Sequence, residues 1–175
     1  PTYEDEGYML TVGELTSHKL VEIPIKASKD LGIPLKIIGE GPERERLEDY
    51  ANKVGANVEF YGLVDYKTLL RIYQKCSFLV SGSIHEAFGL VFLEANACAK
   101  PVVARNCAAI PEVVKHGETG FLCNSYKDFL RYSRILWENE DLCRKMGEKG
   151  RRWAEGFSWE ETAIQYRNLI DSMIP

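Results

Sequence analysis

Two carboxylates, Glu86 and Glu94, have seven residues between them in the run Ser81-Gly82-Ser83-Ile84-His85-Glu86-Ala87-Phe88-Gly89-Leu90-Val91-Phe92-Leu93-Glu94-Ala95-Asn96-Ala97. The run reads as a strand end, a turn and a helix over about residues 89–99. At about 100° per residue nearly the whole circumference of that helix is apolar, so the pattern predicts a buried helix with Glu94 beside Leu90, Leu93 and Ala97. A buried carboxylate is costly unless it is hydrogen-bonded, and ligand hydroxyls or a core Arg or Tyr would satisfy it. Glu86 precedes the helix at the carboxyl end of a strand, where open α/β sheets bind ligands. The N–H groups of Ala87, Phe88, Gly89 and Leu90 would point outward from the helix start, where partial positive charge suits a diphosphate.

A second glycine-bearing turn, Gly39-Glu40-Gly41, has the look of a dinucleotide fingerprint, but Pro42-Glu43-Arg44 follows where a third glycine would be needed. It also follows the second strand rather than the first. A nicotinamide site is not expected; Gly39 and Gly41 are placed near a ribose or base, or serve as a tight connection. Glu112, behind Pro111, is equally well explained as a carboxylate complementing a helix dipole. There is no D-x-D motif, and the three histidines and scattered carboxylates have no ligand spacing, so no metal is expected.

The elements that position these groups alternate. Tyr8 to Gly13, Leu35 to Gly39, Asn57 to Tyr61, Phe78 to Ser81, Pro101 to Ala104 and Gly120 to Cys123 read as short strands. Between them run helical patterns through Val21, Ile25 and Ala27, then through Leu47, Tyr50 and Val54 with Pro42 in the first turn. A third, through Leu69, Leu70 and Tyr73, has Asp65 as its cap. Helical segments follow over about residues 125–153 and 158–173. This rhythm predicts one Rossmann-like, three-layer α/β/α domain over residues 1–175, with a mainly parallel sheet of about six strands. The polar stretch from Thr2 to Gly7 resembles a connection to another domain.

The net charge of −4 gives no pull toward nucleic acid, which is not expected as a partner. Cys76, Cys98, Cys107, Cys123 and Cys143 form no C-x-x-C pair, so they are expected to be reduced thiols in a cytoplasmic protein. No apolar run of about eighteen residues suggests a spanning helix, and peripheral attachment to the inner face of a membrane stays compatible with the sequence.

The E-x7-E run with its internal Phe88-Gly89-Leu90 resembles the signature of retaining GT-B glycosyltransferases, family four in particular. Further segments in matching order are Ile38-Gly39-Glu40-Gly41-Pro42, Phe60-Tyr61-Gly62, Ala99-Lys100-Pro101-Val102-Val103-Ala104, Ile110-Pro111-Glu112-Val113-Val114, Gly117-Glu118-Thr119-Gly120-Phe121-Leu122 and Phe157-Ser158-Trp159. The resemblance implies a C-terminal domain binding a nucleotide-diphosphate sugar, with the last helix packing toward an N-terminal acceptor domain. It implies that Glu86 bonds the sugar hydroxyls, Glu94 grips the ribose hydroxyls, the amides of Phe88, Gly89 and Leu90 meet sugar or phosphate oxygens, and Lys19 binds the diphosphate, with Gly13 also at the donor. The family has an arginine where this chain has Glu14 and a glycine where it has Leu20.

The implied reaction is retaining transfer of a hexose to a glycan or lipid-linked acceptor in cell-surface polysaccharide synthesis. GDP-mannose is the first choice of donor, with UDP-glucose or ADP-glucose next. The alternatives are a non-catalytic nucleotide-binding or scaffolding domain, permitted by Glu14, and a nucleotide-sugar epimerase of the same fold.

Overall fold

Met9 and Leu10 are adjacent in sequence yet belong to different hydrophobic cores. The two-residue period of a strand demands this when both faces of a sheet are covered. The same division separates Phe78 and Val80 from Leu79, and Val103 from Val102 and Ala104.

The computed structural model describes residues 5–173. Its strands are β1 (Met9–Val12), β2 (Leu35–Ile38), β3 (Val58–Gly62), β4 (Phe78–Ser81), β5 (Val102–Arg105) and β6 (Gly120–Cys123). They form one sheet in the order β3-β2-β1-β4-β5-β6, and every pair is parallel. The helices are α1 (Glu22–Leu31), α2 (Arg44–Val54), α3 (Tyr66–Lys75), α4 (Leu90–Ala97), α5 (Ile110–Val113), α6 (Tyr126–Glu138), α7 (Glu140–Ala154) and α8 (Trp159–Met173). One core joins the sheet to Ile25, Leu47 and Phe129 of α1, α2 and α6; the other joins it to Ile72, Phe92 and Ile110 of α3, α4 and α5. The six-stranded Rossmann-like architecture is the one the sequence predicts.

Three local differences have physical causes. Pro42 lies ahead of α2 rather than in its first turn, because the chain there is held by bonds from Glu43 N–H to the Leu15 carbonyl and Arg44 N–H to the Gly41 carbonyl. The helical stretch over residues 125–153 divides at Asn139, whose side chain accepts the Leu142 N–H at 2.9 Å and caps α7. Helix α4 is not buried all round. Phe92, Leu93, Ala95 and Asn96 are buried, whereas Leu90, Glu94 and Ala97 form an open stripe, because the sheet and α7 cover only part of the circumference.

The stretch read as a connection lies partly outside the described residues. Its described part is anchored, with Glu6 N–H donating to the Lys75 carbonyl and Asp5 accepting from the Ser77 hydroxyl. Helix α8 contains no buried residue. No helix among the described residues is long and apolar enough to cross a membrane.

Candidate functional site

Strand order reverses between β1 and β4, and the loops leaving their carboxyl ends diverge to opposite faces of the sheet, opening a crevice where ligands of such sheets bind. The β1 loop runs through a short 3-10 turn, Ser17–Lys19, that presents Lys19. The β4 loop carries Glu86 to the start of α4. Two contacts hold these loops together. The Ile84 N–H donates to the His18 carbonyl at 3.0 Å. At Gly82 the Leu20 carbonyl comes so close that any Cβ would collide with it.

Across this junction Lys19 Nζ donates to Glu86 Oε1 at 2.7 Å, and both side chains are largely shielded, at 22% and 11% exposure. His18 and His85, the residues preceding the pair, pack edge-to-face with ring centroids 6.0 Å apart. Gly89 caps α4 with φ +90, a conformation that favours glycine. Among the described residues, no acceptor takes the N–H of Ala87, Phe88, Gly89 or Leu90. The junction therefore sets a cation, a carboxylate and free helix-start amides side by side, a combination that can hold an anion next to a hydroxylated group.

Glu94 sits one turn into α4 on its exposed stripe, so the expectation of a buried carboxylate is corrected. Its Oε2 accepts the Tyr73 hydroxyl at 2.8 Å. In the sequence Tyr73 reads only as an inner-face residue of its helix, where a phenolic hydroxyl is the one signal that it needs a partner; in the structure the residue is 2% exposed. Burial, followed by the neighbouring Glu94 carboxylate, pushes the Tyr73 phenol upward, keeping it protonated as a donor. A groove of about 350 Å³ between α3 and α4 is lined by Tyr66, Leu69, Tyr73 and Glu94 among others.

Gly13, Gly39 and Gly41 are brought together at the ends of β1 and β2. Gly39 has φ +134, and a Cβ there would collide with the Gly13 carbonyl, while one at Gly41 would collide with the Leu15 backbone. Both glycines thus let the two loops cross, whereas a Cβ at Gly13 would meet nothing within 4 Å. Glu14, next to Gly13, is exposed. Leu20, where the resembled pattern has glycine, adopts a left-handed φ of 43.

A brace runs behind the α4 turn. Phe88 packs against Phe157 with centroids 6.1 Å apart, Phe157 against Trp153 at 4.9 Å, and the Trp153 indole N–H donates to the Val113 carbonyl at 2.9 Å. Sequence reasoning did not find this link between the turn and the chain entering α8. A second cavity, about 340 Å³ and bounded by Asp5, Ser77, Lys100 and Trp137, lies at the amino ends of the strands, away from the crevice. No group of three or more His, Cys, Asp or Glu among the described residues could hold a metal ion. The cysteines are free, and burial pushes the Cys123 and Cys143 thiols up to about 12, so they stay protonated near neutral pH.

The strand order and architecture define a Rossmann-like α/β domain of the GT-B type. The fold agrees closely with S. aureus TarM, solved with UDP, at a TM-score of 0.87 and 22% identity over 97% of this chain and 36% of that one. Sucrose-phosphate synthase from Thermosynechococcus elongatus matches at a TM-score of 0.86 and 25% identity, over 96% of this chain and 46% of that one. In sequence the chain is 33% identical over 172 residues to an uncharacterized glycosyltransferase of Methanocaldococcus jannaschii, covering 97% of this chain and 49% of the relative. The glycosyl transferases group 1 model matches residues 1–153, and the chain belongs to that family. It spans about a third to a half of the length of the curated relatives it matches.

Proposed function

We propose that this chain is the donor-binding domain of a retaining glycosyltransferase, holding a nucleotide-diphosphate sugar for transfer to an acceptor bound by an N-terminal domain. The observation that carries the reading is the 2.7 Å Lys19–Glu86 pair beside the free amides at the start of α4, at the switch point of the sheet. A nucleotide sugar presents the matching sequence of groups: sugar hydroxyls, then a diphosphate, then a ribose diol. Glu86 accepts from the sugar hydroxyls, Lys19 and the amides of Ala87, Phe88, Gly89 and Leu90 meet the diphosphate, and Glu94 accepts from the ribose. Gly13 leaves room for the donor at the end of β1, and the Gly39 and Gly41 crossing forms the neighbouring wall.

In the reaction the bond from the anomeric carbon to the phosphate oxygen breaks, and its electron pair stays on that oxygen. The acceptor hydroxyl oxygen bonds the same carbon on the same face, and its proton passes to the departing phosphate oxygen. Charge therefore grows on the diphosphate, where Lys19 and the helix-start amides stabilise it without rearrangement. Glu86 fixes the sugar through its hydroxyls.

The donor carries a hexose on GDP, UDP or ADP, with GDP-mannose the first to test, and the product belongs to cell-surface glycan or lipid-linked saccharide synthesis. Helix α8 packs on the N-terminal domain, consistent with Trp159, Ile164, Tyr166, Leu169, Ile170 and Met173 all being at least half exposed. Titration calorimetry of Glu94→Ala tests the site: donor affinity is expected to fall about 10- to 100-fold, since hydrogen bonds to charged groups are worth about 1.5–3 kcal/mol. Unchanged affinity in the folded variant contradicts the assignment.

A further inference from the structure

We infer that Tyr73 is a positioning residue for the donor site, which holds the Glu94 carboxylate in the orientation that receives the ribose diol. The inference rests on the ribose role proposed for Glu94 and extends it to a residue that touches no ligand.

Three observations carry it. First, Glu94 stands on the open stripe of α4, where an unheld carboxylate would turn about its side-chain bonds and spread over several rotamers. Second, Tyr73 is buried in the core on the inner face of α3, and its hydroxyl donates to Oε2 at 2.8 Å. The Oε1 atom has no protein partner among the described residues, so one carboxylate oxygen is tethered and the other is available to a ligand. Third, Tyr73 and Glu94 line one groove of about 350 Å³ between α3 and α4, so the tethered carboxylate borders open space.

The tether is itself fixed. Asp65 accepts the Thr68 N–H at 3.0 Å and caps α3, and Ile72 is buried beside Tyr73. Tyr73 therefore donates from a rigid helix face, and the rotamer freedom of Glu94 is lost before the ligand arrives, which lowers the cost of binding.

The test compares the wild-type chain, Tyr73→Phe, Glu94→Ala and the double variant, each titrated with UDP, GDP and ADP and with the 2′,3′-dideoxy form of each. Wild type is expected to prefer the ribose form of its best nucleotide by at least tenfold. Tyr73→Phe, which removes one oxygen from a buried ring, is expected to reduce that preference three- to tenfold while leaving affinity for the dideoxy form unchanged. In the Glu94→Ala background the same change is expected to have no further effect. A folded Tyr73→Phe chain that keeps the wild-type preference overturns the positioning role and leaves the Glu94 assignment standing. Equal loss for ribose and dideoxy forms also overturns it, because Tyr73 would then be supporting the fold alone. A wild type that does not distinguish the two forms overturns the ribose assignment of Glu94, and the inference with it.

Discussion

The charge at position 14 is the sharpest departure of this chain from the pattern it otherwise follows. On the proposed reading, the exposed carboxylate next to Gly13 repels a diphosphate bound at the end of β1, whereas a guanidinium there would make bidentate charge-assisted bonds to it. Glu14→Arg is therefore expected to tighten nucleoside diphosphate binding by about three- to tenfold at low salt, with the gain shrinking as salt screens the site. Calorimetry at two ionic strengths checks this, with the phosphate-free nucleoside as a control whose affinity should hardly move; flat diphosphate affinity at low salt would place Glu14 away from the phosphates. Residues such as Glu86, Glu94 and Gly89 were legible because motif spacing and the strand-to-helix turn confine them to one short segment. Tyr73 and Glu94 are bonded across 21 positions, and helical periodicity identifies an inner face without saying which polar tip meets which partner. The Lys19–Glu86 pair spans 67 positions, and only the resemblance suggested that both belong to one site.

At the scale of elements, the site depends on how closely the β1 and β4 loops approach. Gly82 permits the contact, and Ala at this position places a Cβ against the Leu20 carbonyl and close to Ile23. Gly82→Ala is expected to destabilise the domain by about 1–3 kcal/mol, as overpacking of a tight site does. It should also weaken donor binding by moving Lys19 away from Glu86. Urea unfolding followed by calorimetry separates the two effects, and a variant with wild-type stability and affinity would show that the loops tolerate separation. All six strands and most helices could be read from alternation and periodicity, because both faces of the sheet are covered and the signals are strong. The break at Asn139 was missed because α6 and α7 are each amphipathic and nearly continuous in sequence; the cap is a single side chain. The open stripe of α4 was missed for a different reason: Leu90 and Ala97 read as core residues, yet no described element covers them. Composition cannot distinguish a buried apolar face from one that borders a groove.

For the whole molecule, the chain matches half or less of its curated relatives, and its crevice is bounded by loops from one sheet. On the proposed reading it binds donor but transfers no sugar by itself, and radiolabelled transfer to a saccharide or lipid acceptor by this chain alone would contradict the two-domain account. The architecture was legible as a class from the β-α rhythm, and the reversal of strand order then locates the crevice. The central claim is that a nucleotide sugar binds at that reversal. Amide proton–nitrogen correlation spectra of the chain, recorded as GDP-mannose, UDP-glucose and ADP-glucose are added in turn, test it most directly. At least one donor is expected to shift the amides of Gly13, Phe88, Gly89 and Leu90 saturably while those of Lys100 and Cys143, at the cavity on the opposite rim, stay in place. Spectra unmoved by all three donors, or shifts confined to that opposite cavity, would contradict the account.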